Sequence, residues 1–197
     1  MNREQFRARL EQGVLIADGA IGTMLALRGV PTPYELTNLL YPDTVRALHR
    51  EYYEAGARLI ETNTYTANRV RLFNLPERGS EAPPTYSLLE QFGSPEELVR
   101  RINQEAVRLA REAVGADALV FGSVGPVGKP LEPIGETRLD EAEGAFREQM
   151  QALLEAGVDG LILETFIDPR ELELAIRVAR ELAPDLPLIA SKGFVED

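Results

Sequence analysis

Strand-length runs that are apolar without alternation constrain this chain more than any other feature. They fall at residues 14–17 (Val-Leu-Ile-Ala), 58–62 (Arg-Leu-Ile-Glu-Thr), 118–121 (Ala-Leu-Val-Phe), 160–163 (Gly-Leu-Ile-Leu) and 187–190 (Pro-Leu-Ile-Ala). A strand with one wet face alternates apolar and polar residues; these runs do not, so both faces are covered, as in a parallel sheet. Helical patterns separate them. Residues 44–55 carry Val45, Leu48, Tyr52 and Ala55 at helical spacing, with Asp43 as the expected N-cap. Residues 95–114 carry Leu98, Ile102, Ala106, Leu109 and Ala113, with Ser94 as cap, Pro95 in the first turn and Gly115 as stop. Residues 140–156 end at Gly157, and residues 169–182 run from a cap at Asp168 towards Pro184. The polar run 76–93, with Pro83-Pro84, reads as a surface loop.

The order β-α-β-α-β-α-β-α-β leaves two architectures: a doubly wound sheet and a TIM barrel. No Gly-x-Gly-x-x-Gly or P-loop follows a strand, which weakens the nucleotide-binding alternative. Polar residues recur at the C-terminal ends of the runs: Asp18, Thr62-Asn63-Thr64, Ser123, Glu164-Thr165 and Ser191. Barrels build their active sites there.

Charge and composition narrow the function classes. With 32 acidic and 21 basic residues the formal net charge is -11, which disfavours a phosphate backbone and an anionic membrane as partners. We therefore expect no nucleic-acid and no membrane partner. No apolar run has the length to cross a bilayer, and the polar start Met1-Asn2-Arg3-Glu4 has no signal-peptide pattern, so the expected location is cytoplasmic. The chain has no cysteine, which removes disulfides, thiol nucleophiles and cysteine-ligated metal from these residues. His49, the one histidine, is placed on the polar side of its helix, in a structural or solvated role.

Each strand-end motif has a chemical and a structural reading. Asp18-Gly19-Ala20-Ile21-Gly22-Thr23 offers backbone amides to an anion such as a carboxylate, or is a glycine turn with an Asx bond. Glu61-Thr62-Asn63-Thr64-Tyr65 suits a compact zwitterion, or caps the next helix. Gly122-Ser123-Val124-Gly125-Pro126 reads mainly as a tight turn. Glu164 directly follows a buried strand and needs a cation, either a ligand ammonium or an arginine.

Together these motifs resemble the homocysteine S-methyltransferase family. The resemblance rests on Asp18-Gly19-Ala20-Ile21-Gly22-Thr23, then on Glu54-Ala55-Gly56-Ala57 leading into Glu61-Thr62-Asn63-Thr64-Tyr65-Thr66-Ala67-Asn68. It continues through Gly122-Ser123-Val124-Gly125-Pro126 and Gly157-Val158-Asp159-Gly160-Leu161-Ile162-Leu163-Glu164-Thr165. The wording around Ala145-Phe146-Arg147-Glu148-Gln149 is similar to members fused to a methylenetetrahydrofolate reductase, with the first domain of cobalamin-dependent methionine synthase as the near alternative. The resemblance implies a (β/α)8 TIM barrel, of which residues 1–197 would supply about the first five β/α units. It implies methyl transfer to the homocysteine thiolate, giving methionine, assisted by zinc on cysteines that would lie downstream. Homocysteine and a methyl donor are the implied partners; the donor (a folate, a cobalamin or S-methylmethionine) stays open, and a fused reductase domain is a further implied partner.

Carried over by position, Glu164 would bind the substrate ammonium. Asp18 with the amides of Gly19 and Ala20 would hold the amino-acid end, and Asn63 and Thr64 would line the pocket floor. No catalytic base is assigned. Two other readings stay open: a barrel that binds a small anion without chemistry, and a fragment without activity. Unpaired edges of a partial barrel predict self-association.

Overall fold

The computed structural model describes residues 1–73 and 84–194. Two helices open the chain, α1 (Arg3–Glu11) and α2 (Ile21–Leu27). A 3-10 turn at Tyr34–Leu36 leads into α3 (Thr37–Leu40) and α4 (Pro42–Glu54), and β1 (Leu59–Glu61) follows. Next come α5 (Arg69–Phe73), α6 (Pro84–Phe92), α7 (Pro95–Val114), β2 (Leu119–Val124) and α8 (Leu139–Glu155). The chain closes with β3 (Gly160–Phe166), α9 (Pro169–Leu182) and β4 (Leu188–Lys192). The sheet is parallel in the order β1-β2-β3-β4, each crossover passing through helices. Sequential parallel order is the barrel pattern; a doubly wound sheet reverses direction from its first strand.

Helix α7 shows why the periodicity was legible. Ser94 Oγ accepts from Glu97 N at 3.2 Å, Pro95 needs no N–H partner in the first turn, and Gly115 ends the helix at φ +62°. Its apolar stripe, including Leu98, Ile102, Ala106, Leu109 and Ala113, is buried. Both helix-to-strand phrases behave alike: Gly56 and Gly157 take φ of +111° and +87° just after α4 and α8.

The strands divide their side chains by parity. Ile60, Val120, Leu161 and Leu163 belong to the main core, with Ala110, Phe146, Leu153 and Val178 of the covering helices. Leu59 and Phe121 belong instead to a second cluster with Phe6 of α1, whose ring centroid lies 5.3 Å from that of Phe121. Partly buried Leu119, Ile162 and Ile189 pack against the same cluster. Gly160 must lack a side chain, because a Cβ there would lie 2.4 Å from the Phe121 ring.

Several expectations need correction. Residues 14–17 do not form a full strand: one parallel bridge joins Ala17 to Leu59, and the Ile16 carbonyl accepts from Arg58 N and Leu59 N at 2.8 and 3.1 Å. The segment lies at the open edge of the sheet, where Val14 is 95% exposed, so pairing on one side alone supports little ladder. Asp43 is not the cap of α4; Tyr41 holds that position and Asp43 lies inside the first turn. Within 76–93, residues 84–92 form α6, and Leu88, Leu89 and Phe92 pack with Leu36, Leu98 and Ile102. The rest of that loop expectation, 76–83, lies outside the described residues. His49 is fully buried rather than solvated.

Candidate functional site

The inward side of the sheet is layered. Leu59, Phe121 and Ile162 belong to its apolar cluster; two residues further along each strand stand Glu61, Ser123 and Glu164. The same parity that closes the core therefore delivers polar groups to the C-terminal mouth. They line a cavity of about 630 Å³ together with Asp18, Gly19, Ala20, Tyr34, Glu35, Asn63, Thr64, Tyr65 and Thr165. Every residue that the sequence assigned to substrate, namely Asp18, Gly19, Ala20, Asn63, Thr64 and Glu164, lines this one cavity. Ser191 does not; it is exposed on β4.

The carboxylates are the dominant chemical feature. Asp18 accepts from Glu61 N through both oxygens, at 3.2 and 3.1 Å. Burial pushes its acid up to about 7, opposed by that backbone bond and aided by the nearby charge of Glu164. Glu61 is raised too, to about 8, first by burial, then by the charges of Glu164 and Asp18. Ser123 Oγ donates to Glu164 Oε1. Among the described residues, the cavity lining contains no arginine, lysine or histidine. The structural reading of Glu164 as an arginine partner therefore finds no support among the described residues.

Local backbone geometry aims Glu164. The β3–β4 register shifts between Leu163 and Phe166, and Thr165 has φ +61°. A β-branched residue in the left-handed region costs on the order of 1–3 kcal/mol and persists only where its surroundings impose it. Such a bulge re-aims a strand-end side chain. Tyr65 O accepts from Gly125 N at 2.7 Å, and its ring lies over Gly125, where a Cβ would approach within 2.3 Å.

Asn63 and Thr64 line the cavity but spend polar atoms on the framework. Asn63 Nδ2 donates to Tyr34 O at 2.8 Å, with Thr37 Oγ1 and Asn38 Oδ1 at 3.0 and 3.1 Å. Thr64 Oγ1 donates to Ser123 O at 2.7 Å and meets Thr62 Oγ1 at 2.6 Å. Gln149 of α8 donates to Thr64 O at 2.6 Å, so the helix shell helps fix this loop. Gly19 stands where a Cβ would be 3.2 Å from Tyr52 Oη, and Ala20 is the N-cap of α2.

The sequence reading named Glu61, Tyr65 and Thr165 only within their motifs, with no site role of their own, and treated Ser123 mainly as part of a turn. The available signal was parity: Glu61 stands two residues after Leu59, as Glu164 stands two after Ile162. His49 takes no part in the cavity; burial lowers its imidazole to about 4. The described residues contain no group of three or more acidic or histidine side chains arranged to hold a metal. The residues present therefore do not fit a zinc centre.

A sequential parallel sheet, helices outside and a polar cavity at the strand ends define a TIM-barrel-type α/β protein. Comparisons with known proteins make the class specific. The chain belongs to the homocysteine S-methyltransferase family, whose model matches residues 15–197. It is 34% identical to the homocysteine S-methyltransferase of Escherichia coli K12 over 178 residues, covering 85% of this chain and 55% of that protein. It is 33% identical over 181 residues to the methionine synthase of Mycobacterium leprae, covering 87% of this chain and 14% of that protein. The oxidized form of the homocysteine methyltransferase MmuM from E. coli superposes with a TM-score of 0.71 at 26% identity, covering 92% of this chain and 63% of that one. The chain thus spans between about one-seventh and five-eighths of the length of these relatives. Among the described residues, no helix is long and apolar enough to cross a membrane.

Proposed function

We propose that residues 1–197 form the amino-acid-binding part of an enzyme that transfers a methyl group to homocysteine, giving methionine. The observation that carries this reading is the cavity with Asp18, Glu61 and Glu164 and no cationic lining residue. Such a cavity is matched by a ligand ammonium, whose charge offsets the cost of keeping carboxylates out of water. Glu164, oriented by Ser123 and the bulge at Thr165, takes the ammonium. Asp18 and the amides of Gly19 and Ala20 hold the amino-acid end, while Asn63 and Thr64 keep the β1 loop in shape.

These residues bind and orient. The zinc expected of the family would lower the pKa of the homocysteine thiol when bound. It would be held outside residues 1–197, in the remainder of a (β/α)8 barrel of which this chain is the N-terminal part. The donor, a folate, a cobalamin or S-methylmethionine, would dock against that remainder, as would any fused methylenetetrahydrofolate reductase domain. An acidic cavity runs against the reading of a small-anion binder, because it repels the ligand. The proposed location is cytoplasmic.

The test is Glu164→Gln in the full-length protein, read by calorimetry with homocysteine. Loss of a desolvated charge-assisted bond costs about 2–5 kcal/mol, or about 30-fold to several thousand-fold in affinity. Bound zinc should stay at the wild-type level. Unchanged affinity would remove Glu164 from the substrate.

A further inference from the structure

We propose that this cavity takes up an ammonium in exchange for a proton: Glu61 holds a proton when no cation is present and releases it when an amino acid docks, which makes binding pH-dependent. The proposal rests on the reading of the cavity as an amino-acid site. It adds a role for a side chain which that reading leaves without one.

Geometry carries the argument. Glu61 of β1 and Glu164 of β3 line one cavity with Ser123 of β2, the strand between them. With Asp18, which accepts from Glu61 N, they bring three carboxyls into one cavity, and carboxyls gathered without a cation favour a proton on one of them. Ser123 Oγ donates to Glu164 Oε1, leaving the other oxygen of Glu164 to meet a ligand.

The groups facing Glu61 supply no positive charge. Asp18, from the loop before α2, adds a third carboxylate and accepts from the Glu61 backbone. From β3 comes Glu164, and from β2 the neutral Ser123. Glu35 lines the same cavity but accepts from Thr66 N and Oγ1, at 2.9 and 2.6 Å. Arg28, which acts on Tyr52 beside Asp18, is paired with Glu51 at 2.5 Å. Without an internal cation the proton is the counter-charge, and an arriving ammonium makes it redundant. Burial and like charges, which raise Glu61, act in the same direction. The exchange balances: the ammonium keeps its three protons, the O–H bond of the Glu61 carboxyl breaks with its proton passing to solvent or buffer, and no bond between heavy atoms changes.

The experiment is calorimetry of L-methionine binding to the full-length protein. Methionine has no thiol, so its binding releases no proton by metal coordination of sulfur. Titrations in phosphate and in Tris at pH 7 separate proton release from intrinsic heat, because the two buffers differ widely in ionisation enthalpy. We expect release of between about half and one proton per methionine, and an affinity rising up to about tenfold per pH unit from pH 6 to 8. Glu61→Gln, isosteric with the protonated acid, should bind methionine with little pH dependence and no buffer-dependent heat. Identical heats in the two buffers, with binding intact and weakened by Glu164→Gln, would overturn the proton exchange alone. Proton release that persists in Glu61→Gln would overturn the role of Glu61. Methionine binding unaffected by Glu164→Gln would overturn the amino-acid site and this proposal with it.

Discussion

Carboxylates are treated in opposite ways by the helical shell and by the sheet mouth. On the shell, exposed acids commonly meet arginines, whereas buried Glu171 of α9 is raised by burial and accepts from Val127 N. Glu97 pairs with Arg100 at 2.7 Å, Glu112 with Arg46 at 2.9 Å and with Arg108, and Glu148 with Arg69 at 2.7 Å. Hydrogen bonds from these partners hold Glu112, Asp140 and Asp168 below the ordinary carboxylate range, the leading donors being Arg108, Arg138 and Arg170. At the mouth Asp18 and Glu61 are raised, and the lining offers no cation. One residue class thus serves surface pairing in one region and stays in want of a counter-charge in the other. The lesson is that function resides where the fold withholds a partner it supplies freely elsewhere.

The strongest way to break this contrast is to supply the missing charge. Glu61→Lys places a tethered ammonium in the cavity; homocysteine affinity should fall at least about 100-fold with the melting temperature at pH 8 maintained. Wild-type affinity in that variant would show that the acids do not select a cation.

His49 sharpens the comparison from the shell side, as a buried titratable group whose ring nitrogens have no hydrogen-bond partner. Its pKa is lowered to about 4, so between about pH 4 and 6.5 the unfolded chain binds a proton that the folded chain does not. Stability is complete above pH 6.5 and falls as pH drops, by about 2 kcal/mol near pH 4.5. Urea unfolding at pH 7 and 4.5 should show the slope in wild type and its reduction in His49→Leu.

Glu61 has the opposite sign. Its folded pKa is raised, so the folded chain binds more protons between about pH 4.5 and 8, and stability falls as pH rises through that window. Glu61→Gln should melt clearly above wild type at pH 8.5, by up to several kcal/mol on linkage, and come close to it at pH 5. The smallest effect belongs to the shell pair: Arg100→Ala should cost only about 0.3–0.5 kcal/mol by urea unfolding.

Much of this was legible in the sequence, for identifiable reasons. Strands β1 to β4 and helices α7 and α9 announce themselves by unbroken apolar runs, by caps at Ser94 and Asp168, and by periodic burial. The segment 14–17 was misread because an apolar run reports burial, whereas ladder length depends on a neighbour strand that sequence does not reveal. Helix α6 was hidden because Pro83-Pro84 reads as a loop, although Pro84 is an acceptable first residue of a helix. In the site, Asp18, Asn63 and Glu164 stood out because polar residues after apolar strands are conspicuous. Glu61 did not, being counted within its strand, and the φ +61° of Thr165 has no composition signature.

The central claim is that unpaired strand-end carboxylates recognise the amino group of the substrate. It is tested most directly by comparing homocysteine with 4-mercaptobutanoate, the same molecule without its ammonium, in calorimetric titrations of the full-length protein. The account predicts at least about a 30-fold loss of affinity for the des-amino compound, the lower bound for a desolvated charged contact. Equal affinity for the two would show that the acids at the sheet mouth do not bind the ammonium, and would contradict the account.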